Sequence, residues 1–264
     1  KRVVILGSGD IGLIMARRME IEGAKVLAVV ELMPYSSGLK RNIVQCLDDF
    51  SIPLLLSHTV TKIEGRKRVE RITVSEVDEK RKPIPGTEIT FDADTLLLSV
   101  GLLPENELSR KAGISMSTVT GGPVVDNNFQ TDSDGIFVCG NVLHVHDLVD
   151  YVSSEAEKAG ENAALYALYD RKEEKKVIPI SVFGLARYTV PEMIHEDTKE
   201  DTTIRFRVSN VKKDGKIVVR INGEEVISKN KRIMAPGEME TIIISKRILD
   251  KYDSIESMEV GTED

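Results

Sequence analysis

Val3-Val4-Ile5-Leu6-Gly7-Ser8-Gly9-Asp10-Ile11-Gly12 decides the fold of the first part of this chain. Four aliphatic residues without polar alternation read as a strand buried on both faces of a parallel sheet. The G-x-G-x-x-G that follows is weak evidence alone and gains force only between a strand and a helix. A helix is expected after it, with Ile11, Met15 and Met19 on one stripe and Arg17, Arg18 and Glu20 away from it. Gly23 closes that helix, and a second aliphatic run, Val26 to Val30, ends in Glu31. In such a βαβ unit Gly7 permits a tight turn, Gly9 lets the backbone approach a pyrophosphate, and Gly12 lets helix and strand pack closely. The free N–H groups at the helix start, around Asp10 and Ile11, and the positive dipole end suit phosphates. Glu31 lies about twenty residues beyond the last glycine, where a carboxylate accepts hydrogen bonds from an adenosine ribose. Its charge would repel a 2′-phosphate, which favours NAD over NADP. The competing reading is a βαβ unit with a tight turn and a surface glutamate.

Composition bounds the rest. The chain has 264 residues, enough for two domains with separate cores, and is 41% hydrophobic. No apolar run reaches membrane-spanning length. No basic segment followed by an apolar one suggests secretion, so a cytoplasmic setting is expected. The chain opens at Lys1, already in a strand and without methionine, so upstream residues are expected. A net charge of -7 without a basic stripe argues against nucleic acid and anionic membranes as partners. The two cysteines, Cys46 and Cys139, form no C-x-x-C pair, which argues against a disulfide scaffold or a zinc site.

Beyond Glu31, Gly38 to Phe50 reads as helical, with Leu39, Ile43, Cys46 and Leu47 on one face, and Pro53 to Leu56 as the next strand. Thr59–Ile63, Val69–Val77 and Thr87–Phe91 favour antiparallel pairing across charged, Gly- or Pro-containing turns. Thr95–Val100 is again an apolar strand, stopped by Gly101 and Pro104. A loop-rich segment, an apolar strand over Gly135–Gly140 and a helix from Val149 to Tyr169 follow, and Asp170–Lys176 reads as a linker. Farther on, Ile204, Phe206 and Val208 alternate with Arg205 and Arg207, and Asn222-Gly223 between Ile217–Ile221 and Glu225–Ser228 is a strong hairpin signal. Thr241–Ser245 continues the pattern, so a small antiparallel β domain is expected, with no visible dyad, metal cluster or glycine-rich cradle. A structural or docking role suits it better than catalysis.

The order G-x-G-x-x-G, three-strand excursion, Leu96-Leu97-Leu98-Ser99-Val100-Gly101-Leu102-Leu103-Pro104-Glu105-Asn106, then Thr131 to Gly140-Asn141, resembles the pyridine nucleotide-disulfide oxidoreductase family. Within it, the chain is most similar to NAD/FAD oxidoreductases that accompany glycerol-3-phosphate or opine dehydrogenase subunits. The resemblance spans about residues 1–169. It implies an α/β fold: a Rossmann-like NAD-binding domain with a three-strand excursion over 1–101, part of an FAD-binding domain over 102–176, and a small all-β domain over 177–264. It implies two cofactors, NAD and FAD, with hydride passing from nicotinamide to flavin and on to a partner subunit or dehydrogenase. Gly101 then lies near the NAD adenosine or ribose, and Gly140 and Asn141 near the FAD ribityl chain. Asn141 stands where the family usually has Asp. The helix after it would aim N–H groups near Val152 and Ser153 at the flavin, with Ala156 and Gly160 at the family's small positions.

Three departures shape the expectation. The family's ADP-binding half of the FAD site does not precede the NAD domain in this sequence. No redox-active cysteine pair is present, and Ile14 replaces an acidic residue common in dithiol enzymes. His144, His146 and Asp147 are of metal-ligating type, yet a zinc site usually wants three or four converging ligands; flavin proximity and a solvated loop are the other readings. Cys139 and Cys46 read as core and His195 as surface. No acid–base dyad is expected, because the cofactors would carry the chemistry. A non-catalytic NAD-binding and docking module is the alternative, and a simple NAD dehydrogenase is a third reading weakened by the lack of a positioned acid or base.

Overall fold

A computed structural model describes residues 1–169 and 176–264, so the expected linker lies outside the described residues except for Lys176. The chain divides into two compact units, Lys1–Gly101 and Leu102–Asp264.

The first unit is built on β1 (Arg2–Leu6), α1 (Asp10–Ile21) and β2 (Lys25–Val30). After α2 (Lys40–Cys46) and a single 3-10 turn over Asp48–Phe50 comes the short β3 (Leu54–Leu55). An antiparallel excursion, β4 (His58–Glu64), β5 (Arg71–Glu76) and β6 (Ile89–Phe91), precedes β7 (Thr95–Leu98). The main sheet is parallel throughout, in the order β3-β2-β1-β7. Because β2 and β7 flank β1 on opposite sides, the strand order reverses at the C-terminal end of β1, where open α/β sheets place their ligands.

Alternation along β1 explains the layering. Val3 and Ile5 join Leu13 and Ala16 of α1 with Cys46 and Leu47 in one core, while Val4 joins Ala28, Val30, Ile72 and Val74 in another. The sheet is thus covered by helices on one face and by the excursion on the other, as its unbroken apolar strands require. The packed stripe of α1 differs from the expected one. Gly12, Leu13 and Ala16 are buried, whereas Ile11 is 68% exposed and Met15 only partly covered. The buried arc is set by the close approach of Gly12 to the turn below, which rotates Ile11 outward.

In the second unit α3 (Glu107–Lys111) is short and loops dominate up to α4 (Val149–Tyr169). The expected strand over Gly135–Gly140 is absent: Phe137 makes an isolated bridge to Gln130, and Gly140–Val142 is a 3-10 turn. Apolar residues alone do not make a strand without a neighbouring ladder, and here Val138 N–H finds only Phe129 C=O. Of this segment Val138 is buried, and with Val125, Phe129 and Leu143 it packs on Ala159 of α4.

The β-rich remainder comprises β8 (Val177–Phe183), β9 (Met193–His195), β10 (Thr202–Phe206), β11 (Lys212–Ile221), β12 (Glu224–Met234), β13 (Glu240–Ile244), α5 (Lys246–Leu249) and β14 (Met258–Glu263). Five strands form one sheet, β12-β11-β14-β8-β9, and β10 pairs with β13 in a second. The hairpin turn falls on Asn222 and Gly223, both at positive φ, as a type I′ turn demands. The expectation of purely antiparallel pairing is corrected by β8 and β14, which pair in parallel. Neither strand stands out in the sequence, because their pairing joins the two ends of the region. Ile204, Phe206, Ile217, Val219, Ile221, Ile244 and Val260 form the shared core, so the alternation read at Ile204–Val208 does face inward.

Candidate functional site

The glycine loop is built by close approach. A Cβ on Gly7 would stand 2.0 Å from the Ser99 carbonyl oxygen, and one on Gly12 would stand 2.2 Å from that of Gly7. Gly7 also sits at φ +104, where L-residues are strained. Gly9 is different: its Cβ position faces only Ser37 Oγ at 3.5 Å, so its surface is comparatively open. The first i→i−4 bond of α1 runs from Leu13 N–H to Gly9 C=O, so the N–H groups of Asp10, Ile11 and Gly12 precede the helical ladder.

Glu31 is no surface residue. It is 8% exposed, and its Oε2 accepts hydrogen bonds from Ser8 N–H (2.9 Å) and Ser8 Oγ–H (2.6 Å), while Oε1 accepts from Met33 N–H (2.9 Å). The end of β2 is thereby tied to the glycine loop through Ser8, which is fully buried. A carboxylate has about four acceptor positions, so roughly one stays open to a further donor. Asp10 Oδ1 accepts from Leu39 N–H and Asn42 Nδ2–H, which turns that carboxylate toward residues 39–42 and away from the N–H cradle. Gly101 lies at φ +95 with no atom within 4 Å of its Cβ position, and it ends an exposed segment with Leu98 and Val100.

In the second unit the expected flavin-side residues converge on a residue not singled out in the sequence. Gly140, buried at φ +74, donates its N–H to Oε1 of Glu155 at 2.7 Å. The Glu155 side chain has no exposed surface. His144 Nε2 lies 3.0 Å from its Oε2 and His146 Nε2 3.2 Å from its Oε1, so both imidazoles donate there in their Nε2–H tautomers. Arg205 places a guanidinium nitrogen 3.5 Å from Oε2 and lies over the Tyr151 ring. The two imidazole rings are 4.2 Å apart, centre to centre. Burial opposes the Glu155 charge, but the hydrogen bonds from both histidines outweigh it and lower the carboxyl to about 2. Burial pushes His144 the other way, below the usual imidazole range, so Glu155 carries charge and His144 is neutral.

The surroundings follow from this hub. Asn141 is exposed, and its Oδ1 accepts from His146 N–H. Val152 touches Gly140, with Cγ1 3.5 Å from the Cβ position. α4 begins at Val149, so its first-turn N–H groups run from Val149 to Val152, with that of Tyr151 bonded to Leu148 C=O. Ala156 and Gly160 lie on the exposed face of α4. His144, His146 and Glu155 offer ligand atoms within 4.8 Å of one another, whereas Asp147 pairs with Arg207 at 2.5 Å. The solvated-loop reading of the histidines is therefore corrected. Arg205 decides between the remaining chemistries: its charge already balances Glu155, and a divalent ion would add two uncompensated positive charges to a buried site.

His195 is likewise not a surface residue. Its Nε2 sits 2.8 Å from Asp126 Oδ2, and both side chains are largely covered. Cys46 is buried and Cys139 partly so; both are free thiols whose pKa burial raises, which suits inert packing. The one sequence signal for Glu155 was positional. It falls on the stripe Val152, Ala159, Tyr166 of α4, and a carboxylate on a core-facing stripe demands a partner.

The chain is similar to several known proteins. The chain is 28% identical over 161 residues to an NADH oxidase of Methanocaldococcus jannaschii, covering 59% of this chain and 32% of that protein. It is 26% identical over 257 residues to a rubredoxin-NAD(+) reductase of Pseudomonas putida, covering 93% of this chain and 60% of the relative. The crystal structure of T. acidophilum thioredoxin reductase superimposes with a TM-score of 0.56 at 26% identity, over 64% of this chain and 53% of that one. The chain spans about a third of the length of the NADH oxidase and three fifths of the rubredoxin reductase. Residues 1–164 match the pyridine nucleotide-disulphide oxidoreductase family, and the chain belongs to that family.

Proposed function

We propose that this chain is the NADH-binding part, with a share of the flavin site, of a flavoprotein oxidoreductase that passes electrons from NADH through FAD to a separate acceptor. The observation that carries the reading is the glycine loop at the strand-order reversal, with Glu31 buried at the end of β2 and bonded back to that loop. The residues fit a dinucleotide: Gly9 leaves room for backbone approach, and the N–H groups of Asp10, Ile11 and Gly12 suit a pyrophosphate. Glu31 keeps an acceptor position for a ribose hydroxyl and a charge that repels a 2′-phosphate. Gly101 and the exposed Leu98 and Val100 lie at the same end of the sheet and would border the nucleotide.

Within the second unit we assign residues 102–176 to an FAD-binding domain and 177–264 to an accessory β domain. Gly140, Asn141 and Val152 would then border the flavin. Asn141 keeps an amide there to bond a hydroxyl. FAD, when bound, supplies the exchange between two-electron donors and acceptors. The chain's own task is to hold nicotinamide and flavin, exclude water and place the positive end of α4 near developing negative charge.

The partner is proposed to be an electron carrier or dehydrogenase subunit, and the glycerol-3-phosphate or opine dehydrogenase association is one form of it. The rubredoxin-NAD(+) reductase likeness supports the carrier form. No helix among the described residues is long and apolar enough to cross a membrane, which is compatible with the proposed cytoplasmic setting. Spectroscopy of the longer protein, with the residues expected upstream, tests the reading: it should be yellow and lose its visible flavin absorption when NADH is added without oxygen. A colourless protein that binds NADH would favour the docking-module alternative.

A further inference from the structure

We propose that His144 and His146, clamped on Glu155, form a buried site that takes up one proton when negative charge develops on the neighbouring flavin. This deepens the function proposed above and rests on it. The proposed resting cluster is neutral: the negative charge of Glu155 is matched by Arg205, and both imidazoles set Nε2 against the carboxylate. Each imidazole keeps a buried Nδ1 with no hydrogen-bond partner, a basic lone pair held away from bulk water. A proton on either ring forms one N–H bond there and leaves the cluster with a charge of plus one. Such a charge is disfavoured while the surroundings are neutral, and favoured once an anion lies close.

The link to the flavin side is short. Glu155 Oε1 accepts from Gly140 N–H, and Asn141 Oδ1 accepts from His146 N–H, so the cluster and the Gly140-Asn141 turn share two hydrogen bonds. A second proton is excluded, because two imidazolium rings 4.2 Å apart would face a single carboxylate already shared with Arg205. The other groups around the pair are accounted for. Tyr151 lies under Arg205, Tyr188 stands edge-on to His144 with its phenol pKa raised by burial, and Asp147 is paired with Arg207. Cys139, nearby, stays a thiol because burial and then Glu155 raise its pKa. A cleft of about 290 Å³ borders the Glu155–Arg205 side of the hub, lined by Ser154, Glu155, Lys158, Thr203 and Arg205 among others.

The balance is simple. NADH supplies a hydride, two electrons with one proton, and water supplies the second proton, which rests on an imidazole Nδ1. When two electrons leave to the acceptor, that proton and the one the hydride brought to the flavin both return to water. Two measurements test the site. In proton NMR of the present chain, with the four histidines assigned by substitution, the His144 and His146 rings should shift together over one midpoint and take up a single proton before acid unfolding. Independent titration of two full protons, no titration, or saturable Zn²⁺ binding lost in His146→Gln would overturn the proposal. In the longer FAD-bound protein, the midpoint potential should fall more steeply with pH than in His144→Asn/His146→Asn. The difference should be one proton per two electrons, a tenfold shift per pH unit, or about 30 mV. Should the double variant misfold, His146→Gln, which keeps a donor, serves instead. Equal slopes with FAD bound would overturn the coupling, whereas a longer protein that binds no FAD would remove the functional reading itself and leave the NMR result standing.

Discussion

Replacing Glu155 by glutamine removes one negative charge from the centre of the second unit and nearly nothing else. The amide oxygen can still accept from Gly140 N–H, but Arg205 loses its counter-charge and one imidazole faces an N–H₂ group instead of an acceptor. Two estimates of the cost agree. A carboxyl depressed from 4.5 to about 2 is worth about 3 kcal/mol, at roughly 1.4 kcal/mol per unit. Breaking a buried pair by removing one partner costs about 3–5 kcal/mol. Because the folded-state value lies below the unfolded one, this contribution is complete above the ordinary carboxylate range and disappears as pH falls through about 2. At pH 7 the urea midpoint of Glu155→Gln should therefore drop by about 1.5 M, taking a slope of roughly 2 kcal/mol per M. Near pH 3 the gap from the wild type should shrink to about half. Tyrosine fluorescence suits the measurement, since there is no tryptophan and all tyrosines but Tyr35 lie beyond residue 101. A midpoint change below about 0.3 M, or a gap that stays constant from pH 7 to 3, would refute the reasoning.

Four further outcomes follow from the same geometry. NADH should bind at least about tenfold more tightly than NADPH, a difference of about 1.4 kcal/mol, and Glu31→Gln should narrow it in a fluorescence titration; equal affinities in the wild type would sink the assignment. Gly12→Ala places a Cβ against the Gly7 carbonyl. It should abolish NADH binding and cost about 1–3 kcal/mol in denaturation, so unchanged binding would contradict the tight-turn argument. In the longer protein, Asn141→Leu should weaken FAD retention by about 0.5–1.5 kcal/mol, measured by flavin release, and no change would place the flavin elsewhere. The double variant Cys46→Ser/Cys139→Ser should keep most NADH-dependent dye reduction; losing it with FAD still bound would implicate a thiol.

Much of the first unit was legible because its signals are local. A strand, a glycine turn and a helix in immediate succession specify one another, and the excursion announces itself through alternation and charged turns. What escaped was rotational detail: the burial of Gly12 against Gly7 turns Ile11 outward, although hydrophobicity alone places it inside. The second unit was harder to read because its determinants are non-local. β8 pairs with β14 across the whole β-rich region, and Gly135–Gly140 has strand-like composition but no adjacent ladder. Glu155 hid for the same reason, since its partners come from a loop about ten residues earlier and a strand fifty residues later. His195 looked solitary in sequence because its carboxylate, Asp126, is 69 residues away.

The most direct test of the account is anaerobic addition of NADH to the longer, FAD-loaded protein while flavin absorption and NADH oxidation are followed together. The account predicts stoichiometric bleaching, one NADH oxidised per flavin, followed by recovery of the flavin spectrum when an electron-accepting dye is added. A flavin that stays oxidised while NADH is demonstrably bound would contradict it.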